Sequence, residues 1–244
     1  MASPRLSPSS HEAVAEAIRR WIVLGTYAPG ERLPSERELA EQFAVGRMTV
    51  RRAVGELAAE GLVATTRGRT GGTTVRPPTS VVRDATLEEL LTAVRDSFEF
   101  RLAIEPAAAA LAAERRGAGD ADELRELVGR RSGSFGDYRA LDSRFHLAVA
   151  RAARNPLLLD AVTSSRTHFF GWADVIRRHT AWSDLDPAEQ DFGAHHRDVA
   201  EAVASGQVAE ARELMTQHLL AGEEQYLSLV RAHGSPGAGQ DSAR

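Results

Sequence analysis

A mainly α protein in two parts is predicted. The first is an N-terminal winged helix-turn-helix of three helices plus a β-hairpin wing. The second is a C-terminal all-α bundle of six or seven helices. Three observations predict this. Two short helix-patterned stretches flank a tight turn within the first 76 residues, with a helix before them and a glycine-rich hairpin after. Beyond Pro77-Pro78 the chain carries only helical spacing, with no convincing strand. The charge changes sign at the same point: residues 1–77 hold 11 arginines against 8 acids (+3), and residues 78–244 hold 19 against 26 (−7). A basic front joined to an acidic back suggests two jobs on one chain.

Composition excludes several classes. The 244 residues include no cysteine, which removes disulfides, thiolate zinc sites and thiol nucleophiles. No apolar run approaches the ~18 residues of a membrane span. Met1 to Ser10 is short and polar, without a hydrophobic signal core, so a cytoplasmic protein is expected. The net charge of −4 argues against a general polyanion binder.

The elements follow in order. Residues 1–9 are rich in Ser and Pro and are expected to be a disordered tail. His11 to Leu24 places Val14, Ala17, Ile18, Trp21 and Ile22 at helical spacing, and Ala28-Pro29-Gly30 breaks it. Ser35 and Glu38 form a capping box that opens a short helix to Phe43, with Leu39, Ala40 and Phe43 inward. Ala44-Val45-Gly46 makes the connection. A helix from about Arg47 to Glu60 buries Val50, Ala53, Val54 and Leu57, and Gly61 closes it as a C′ glycine. Leu62 to Thr66 and Thr73 to Arg76 are the wing strands. A DNA-binding-type domain over 10–76 therefore gives way to a linker over 77–85. Helices are expected over 87–114, 121–131, 137–154, 157–178, 187–204 and 208–232, making a domain of 86–232 with a flexible tail over 233–244.

The front half carries a nucleic-acid pattern. Arg47, Thr49, Arg51 and Arg52 lie near the start of the second helix of the pair, where a recognition helix meets base edges. Arginine presents a planar fork to guanine O6/N7 and to phosphate. Arg37 lies early in the preceding helix, within reach of the groove edge. The hairpin tip carries Arg67 and Gly68, a cation beside a residue that lets backbone approach phosphate closely.

Pro29-Gly30, Leu33-Pro34-Ser35-Glu36-Arg37-Glu38-Leu39-Ala40, Arg47-Met48-Thr49-Val50-Arg51, Gly61-Leu62-Val63 and Gly71-Gly72-Thr73 together resemble the GntR family of bacterial transcription regulators. The resemblance implies that Arg37, Arg47, Thr49, Arg51 and Gly68 contact double-stranded operator DNA. Two departures stand out. Ala44-Val45-Gly46 replaces the family's usual Gly and Val-Ser; alanine in a left-handed position costs ~1 kcal/mol, and glycine as N-cap loses only a few tenths. An adjusted turn is expected, not a lost one. Arg52 stands where an acid is common, which adds local positive charge.

In the back half, Asp142 and His146 are four apart and share one helix face. His196 and His218 lie in later helices. Three imidazoles and a carboxylate make a sound ligand set for a divalent transition metal, and Zn, Ni, Mn and Fe suit it about equally. His195 competes with His196, because adjacent helical positions point ~100° apart and only one can face inward.

Leu141-Asp142, Phe145-His146, Asn155-Pro156-Leu157-Leu158, His196-Arg197 and Met215 with His218-Leu219 resemble the FCD ligand-binding domain of the FadR subgroup of that family. The resemblance implies metal ligation by Asp142, His146, His196 and His218, and leaves His11, His168, His179, His195 and His233 as non-ligands. Glu99 to Pro106 resembles the domain's opening helix, where the arginine matching Arg101 faces the cavity. A guanidinium there clasps a carboxylate, so a small organic acid is the expected effector, with Arg101 and Asn155 as contacts. The plain alternative for Arg101 is pairing with Glu105 at i,i+4.

The function expected is a homodimeric regulator whose operator affinity is set by that acid, by the metal, or by both; a dimer would double the half-site contact. The competing reading is a metal-dependent hydrolase with an appended DNA-binding domain. The chain has no HExxH helix, no G-x-S-x-G elbow and no P-loop to support it.

Overall fold

The computed structural model describes residues 10–27, 30–66, 68, 71–76, 86–130, 135–179 and 192–233. The expected terminal tails, the 77–85 linker and Arg67 lie outside them. The chain divides into two compact units, Met1–Val81 and Val82–Arg244.

The first unit holds α1 (His11–Val23), α2 (Glu36–Phe43), α3 (Arg47–Ala59) and an antiparallel hairpin of β1 (Val63–Thr66) and β2 (Gly72–Val75). The capping box forms as its sequence predicts: the Ser35 hydroxyl accepts from Glu38 N at 3.3 Å, and Glu38 Oε2 accepts from Ser35 N at 2.8 Å. Ala44 takes the left-handed conformation (φ 53°) and Gly46 caps α3, so the turn survives its unusual sequence. Gly61 follows the C-cap Glu60 with φ 77°, a backbone that a side chain would strain. The core joins Val14, Ile18 and Ile22 of α1 to Leu39 of α2, Val50, Val54 and Leu57 of α3, and Val63 and Val75 of the wing. Trp21 stacks on Phe43 at 5.1 Å beside it. One pairing has no counterpart in the sequence pattern. The chain before α2 runs along β2, with Leu33 N donating to Thr73 O and Val75 N to Glu31 O, both at 2.9 Å. The proline and glycine nearby advertise a break and conceal this short ladder.

The second unit contains, among the described residues, six helices: α4 (Leu87–Arg115), α5 (Ala118–Val128), α6 (Phe135–Ala152), α7 (Pro156–His179), α8 (Phe192–Ser205) and α9 (Val208–His233). Thr86 and Glu89 cap α4 reciprocally. α4 packs along α9 and also meets α6, α7 and α8, which makes it the spine of the bundle. Alanines 108, 109, 110, 112 and 113 are all buried, so neighbouring helices approach the second half of α4 closely. The core also contains charge. Arg101, Glu105, Arg139, Asp142, His146, Arg166 and His196 are all buried.

Candidate nucleic-acid interface and metal centre

The exposed end of α3 carries the first site. Arg47, Met48, Arg51 and Arg52 are exposed and Thr49 is half-buried, while Val50, Ala53, Val54 and Leu57 anchor the opposite face in the core. The polar side chains therefore project together from the helix N-terminus, which also offers unsatisfied backbone N–H groups to an anion. A groove of about 510 Å³ runs beside them, lined by Ser10, His11, Met48, Thr49, Arg51 and Arg52. Glu36 of α2 receives Arg51 through Nη2 at 2.9 Å and Nε at 3.2 Å, which fixes the plane of that guanidinium. Arg37 pairs with Glu41 at 2.9 Å and stays exposed. Gly68 sits exposed at the wing tip with φ 122°, where nothing crowds its α-carbon.

The second site lies inside the bundle. Asp142 and His146 on α6, His196 on α8 and His218 on α9 bring one donor atom each within 4.8 Å of one another. Asp142 Oδ1 lies 3.5 Å from His146 Nε2 and 3.2 Å from His196 Nε2, and His146 Nε2 lies 3.2 Å from His218 Nε2. Four ligands at 2.0–2.2 Å around a tetrahedral ion stand about 3.3–3.6 Å apart, so these three donor distances and the nitrogen-oxygen set fit a divalent transition metal. Asp142 is 5% exposed, His146 1% and His196 2%. The competition between adjacent histidines is decided by position: His196 points in and His195 is exposed.

Electrostatics prepare these donors. Burial holds the His146 and His218 imidazoles below their ordinary range, and for His218 the neighbouring His196 and His146 add to the effect. Both are neutral near pH 7, as ligation requires. Glu105 on α4 is 1% exposed. Burial pushes its carboxyl up, but Arg101 and His146 beside it more than offset that, and it is held well below the usual carboxylate range.

Arg101 is 3% exposed and donates through Nε to Glu105 Oε1 at 2.6 Å, so the i,i+4 pair that the sequence offers as the alternative is present. The other oxygen of Glu105 meets His146 Nδ1. Asn155 caps α7, its Oδ1 accepting from Leu157 N at 3.1 Å and Leu158 N at 3.3 Å.

Sequence reasoning missed three residues here. Arg166 of α7 is fully buried and pairs with Asp142. Burial and the nearby Arg101 lower its pKa to about 9. Arg139 is buried against Phe170, and Glu105 joins the two halves of the site. A signal existed: Arg166 shares its helical stripe with Val162, Phe169, Phe170 and Ala173, all buried. A lone charge on an apolar face marks a polar centre inside a bundle.

A winged reading head on the same chain as a bundle with a closed ligand centre is the build of a ligand-responsive DNA-binding regulator. Comparison with known proteins agrees. Residues 10–75 match the gntR family of bacterial regulatory proteins, and residues 96–221 match the FCD domain. RmpR of Mycobacterium gastri, named as an HTH-type transcriptional regulator, is 35% identical over 85% of this chain and 77% of its own. The Uxu operon transcriptional regulator of Escherichia coli is 31% identical over 90% of this chain and 87% of its own. A GntR-type regulator from Rhodococcus sp. RHA1 shares the fold with a TM-score of 0.50 at 23% identity, covering 89% of this chain and 97% of that one.

The chain belongs to the GntR family of transcription regulators, with an FCD effector-binding domain following the DNA-binding domain in the sequence. Its family is one of regulators, not enzymes, and none of these relatives supports the hydrolase alternative. No helix among the described residues is long and apolar enough to cross a membrane.

Proposed function

We propose that the protein is an operator-binding homodimer whose DNA affinity is set by a metal-anchored small carboxylate. The observation that carries the reading is the spacing of Asp142, His146, His196 and His218, which suits one divalent ion. Zn, Ni, Mn and Fe remain equal on donor chemistry. The ion would supply a Lewis-acid anchor for an anionic group.

Charge counting supports an anion. Among the residues at the site, Arg101, Arg139 and Arg166 outnumber Glu105 and Asp142, and His146 and His218 are held neutral. The two charges of an ion therefore have no counterion among these groups, and a carboxylate provides one. Arg101, joined to this centre through Glu105, is the proposed contact for it. Asn155 already serves as a helix cap, so the reading does not rest on it. One relative is named for an L-lactate dehydrogenase operon, and L-lactate is a small carboxylate.

In the N-terminal unit, Arg37, Arg47, Thr49, Arg51, Arg52, Arg67 and Gly68 are the proposed DNA contacts. Arginine forks on bases give sequence choice, and the wing holds the backbone. Two-fold pairing of such heads would read two half-sites one helical turn apart.

The test is a gel-shift titration of the full chain on DNA from upstream of its own gene, with and without EDTA, and with a panel of small carboxylates. A retarded complex whose midpoint moves with carboxylate, and moves less after EDTA, is expected. A complex indifferent to both treatments would refute the switch, and no complex on any upstream fragment would refute operator binding.

A further inference from the structure

Glu105 lies outside the four expected ligands and touches two functional residues at once. Oε1 accepts from Arg101 Nε at 2.6 Å, and Oε2 meets His146 Nδ1. All three side chains are buried. We propose that Glu105 is a positioning residue that holds His146 as an Nε2 metal donor and joins it to Arg101, coupling ion affinity to anion affinity through one carboxylate. The proposal rests on the metal reading above.

Ligation itself fixes the arrangement of protons. An imidazole that gives its Nε2 lone pair to a metal carries its one N–H on Nδ1. In His146 that nitrogen faces Glu105 Oε2, a carboxylate oxygen able to accept from it. Its Nε2 lone pair is then directed at the centre shared with Asp142 and His218. The opposite tautomer would place a lone pair against the Glu105 oxygen and an N–H into the metal position. Carboxylates behind ligating histidines fix ring orientation and raise ligand basicity in this way.

Arg101 acts on the same carboxylate. While it donates to Oε1 it draws charge away from Oε2. An anion that takes up Arg101 weakens that pull, so Glu105 polarises the His146 N–H more strongly and Nε2 becomes a better donor. By linkage, a bound ion must favour the anion by the same factor. Coupling of this kind needs no movement of helices, because a single side chain touches both partners.

The experiment uses the full chain and zinc as probe, with affinities from chelator competition. Glu105→Gln should weaken zinc binding by roughly 10- to 100-fold. Arg101→Gln should change zinc affinity in the native background but much less in the Glu105→Gln background, a departure from additivity of about 3-fold or more. Direct Coulomb repulsion between Arg101 and the ion would persist in both backgrounds, so additive effects overturn the relay. Long-range ¹H–¹⁵N spectra of the metal-free native chain should show His146 as the Nδ1–H tautomer; an Nε2–H tautomer overturns the proposal even if Glu105→Gln fails to fold. A native chain that takes up no ion removes the metal reading as well. Tight native binding unchanged by Glu105→Gln removes this proposal alone.

Discussion

Asp142→Ala and His218→Ala should both abolish metal binding yet differ sharply in metal-free stability. Asp142 is 5% exposed and pairs with Arg166, which is 0% exposed. Its removal strands a buried guanidinium. Breaking a buried pair from one side costs about 3–5 kcal/mol, and a domain of 150–250 residues loses about 2–4 °C per kcal/mol. A fall in Tm on the order of 6–20 °C follows from those two figures. His218 is half-buried and neutral, so its truncation belongs in the ordinary range of ~0.5–3 kcal/mol. Zinc at 100 times its Kd should stabilise the native protein by ~2.7 kcal/mol, and neither variant should show that increment. Thermal unfolding followed by circular dichroism, with zinc or with EDTA, reads all of this. Equal metal-free Tm values for the two variants would show that Asp142 does not hold Arg166. A full zinc increment in His218→Ala would show that the ligand set is wrong.

Three further outcomes are expected. Arg51→Ala should weaken operator binding by ~1–3 kcal/mol and relax the choice of base at one position; fluorescence anisotropy on native and base-substituted operators checks it, and unchanged affinity on both counts against base contact. Ala44→Gly should raise the denaturant midpoint of the first unit, by up to ~1 kcal/mol in stability, because Ala44 sits at φ 53°; a lower midpoint would contradict the strain argument. The pH dependence follows from two imidazoles held below their ordinary range in the fold. Their stabilising contribution is present above the unfolded-state value of about 6.5 and is lost as pH falls from there toward the folded values. The metal-free Tm should therefore drop between about pH 7 and pH 5, and a flat or rising Tm would reverse the assignment of His146 and His218 as neutral.

Much of the fold is legible in the sequence because the signals are local. The Ser35–Glu38 box and Gly61 after α3 are each fixed by backbone needs within four residues, and each forms as expected, whereas Asn155, read as an effector contact, caps α7. The Asp142–His146 step reads directly as one helix face, whereas its partners in two later helices follow from resemblance, not from spacing. Arg139 and the role of Glu105 are not legible, and Arg166 is legible only as a charge on an apolar stripe. Periodicity shows that a charge lies on an apolar stripe, but which stripe it meets depends on how α4, α6 and α7 pack, and that is a tertiary fact. The ladder between residues 31–33 and β2 escapes for a related reason: its partner strand lies some forty positions later, beyond any local pattern.

The charged centre of the bundle also bears on why the protein would switch at all. Replacing a buried ion pair by apolar side chains of similar volume is often neutral or stabilising by ~1–4 kcal/mol. Here two such pairs, Arg101–Glu105 and Arg166–Asp142, converge on a histidine cluster inside a bundle whose core is otherwise mostly aliphatic and aromatic. Stability alone gives no reason for that arrangement. A ligand that adds charge of both signs does, since an ion and an anion entering together leave every group with a partner. Occupancy then shifts the bundle's helices only as far as ion and anion prefer one packing over another. Because α4 carries Arg101 and Glu105 and packs on α6, α7, α8 and α9, it is the element through which that preference would first be felt. Hydrogen exchange in α4 should slow more on loading with zinc and carboxylate together than the separate effects predict. Protection that merely adds would place the switch elsewhere in the bundle.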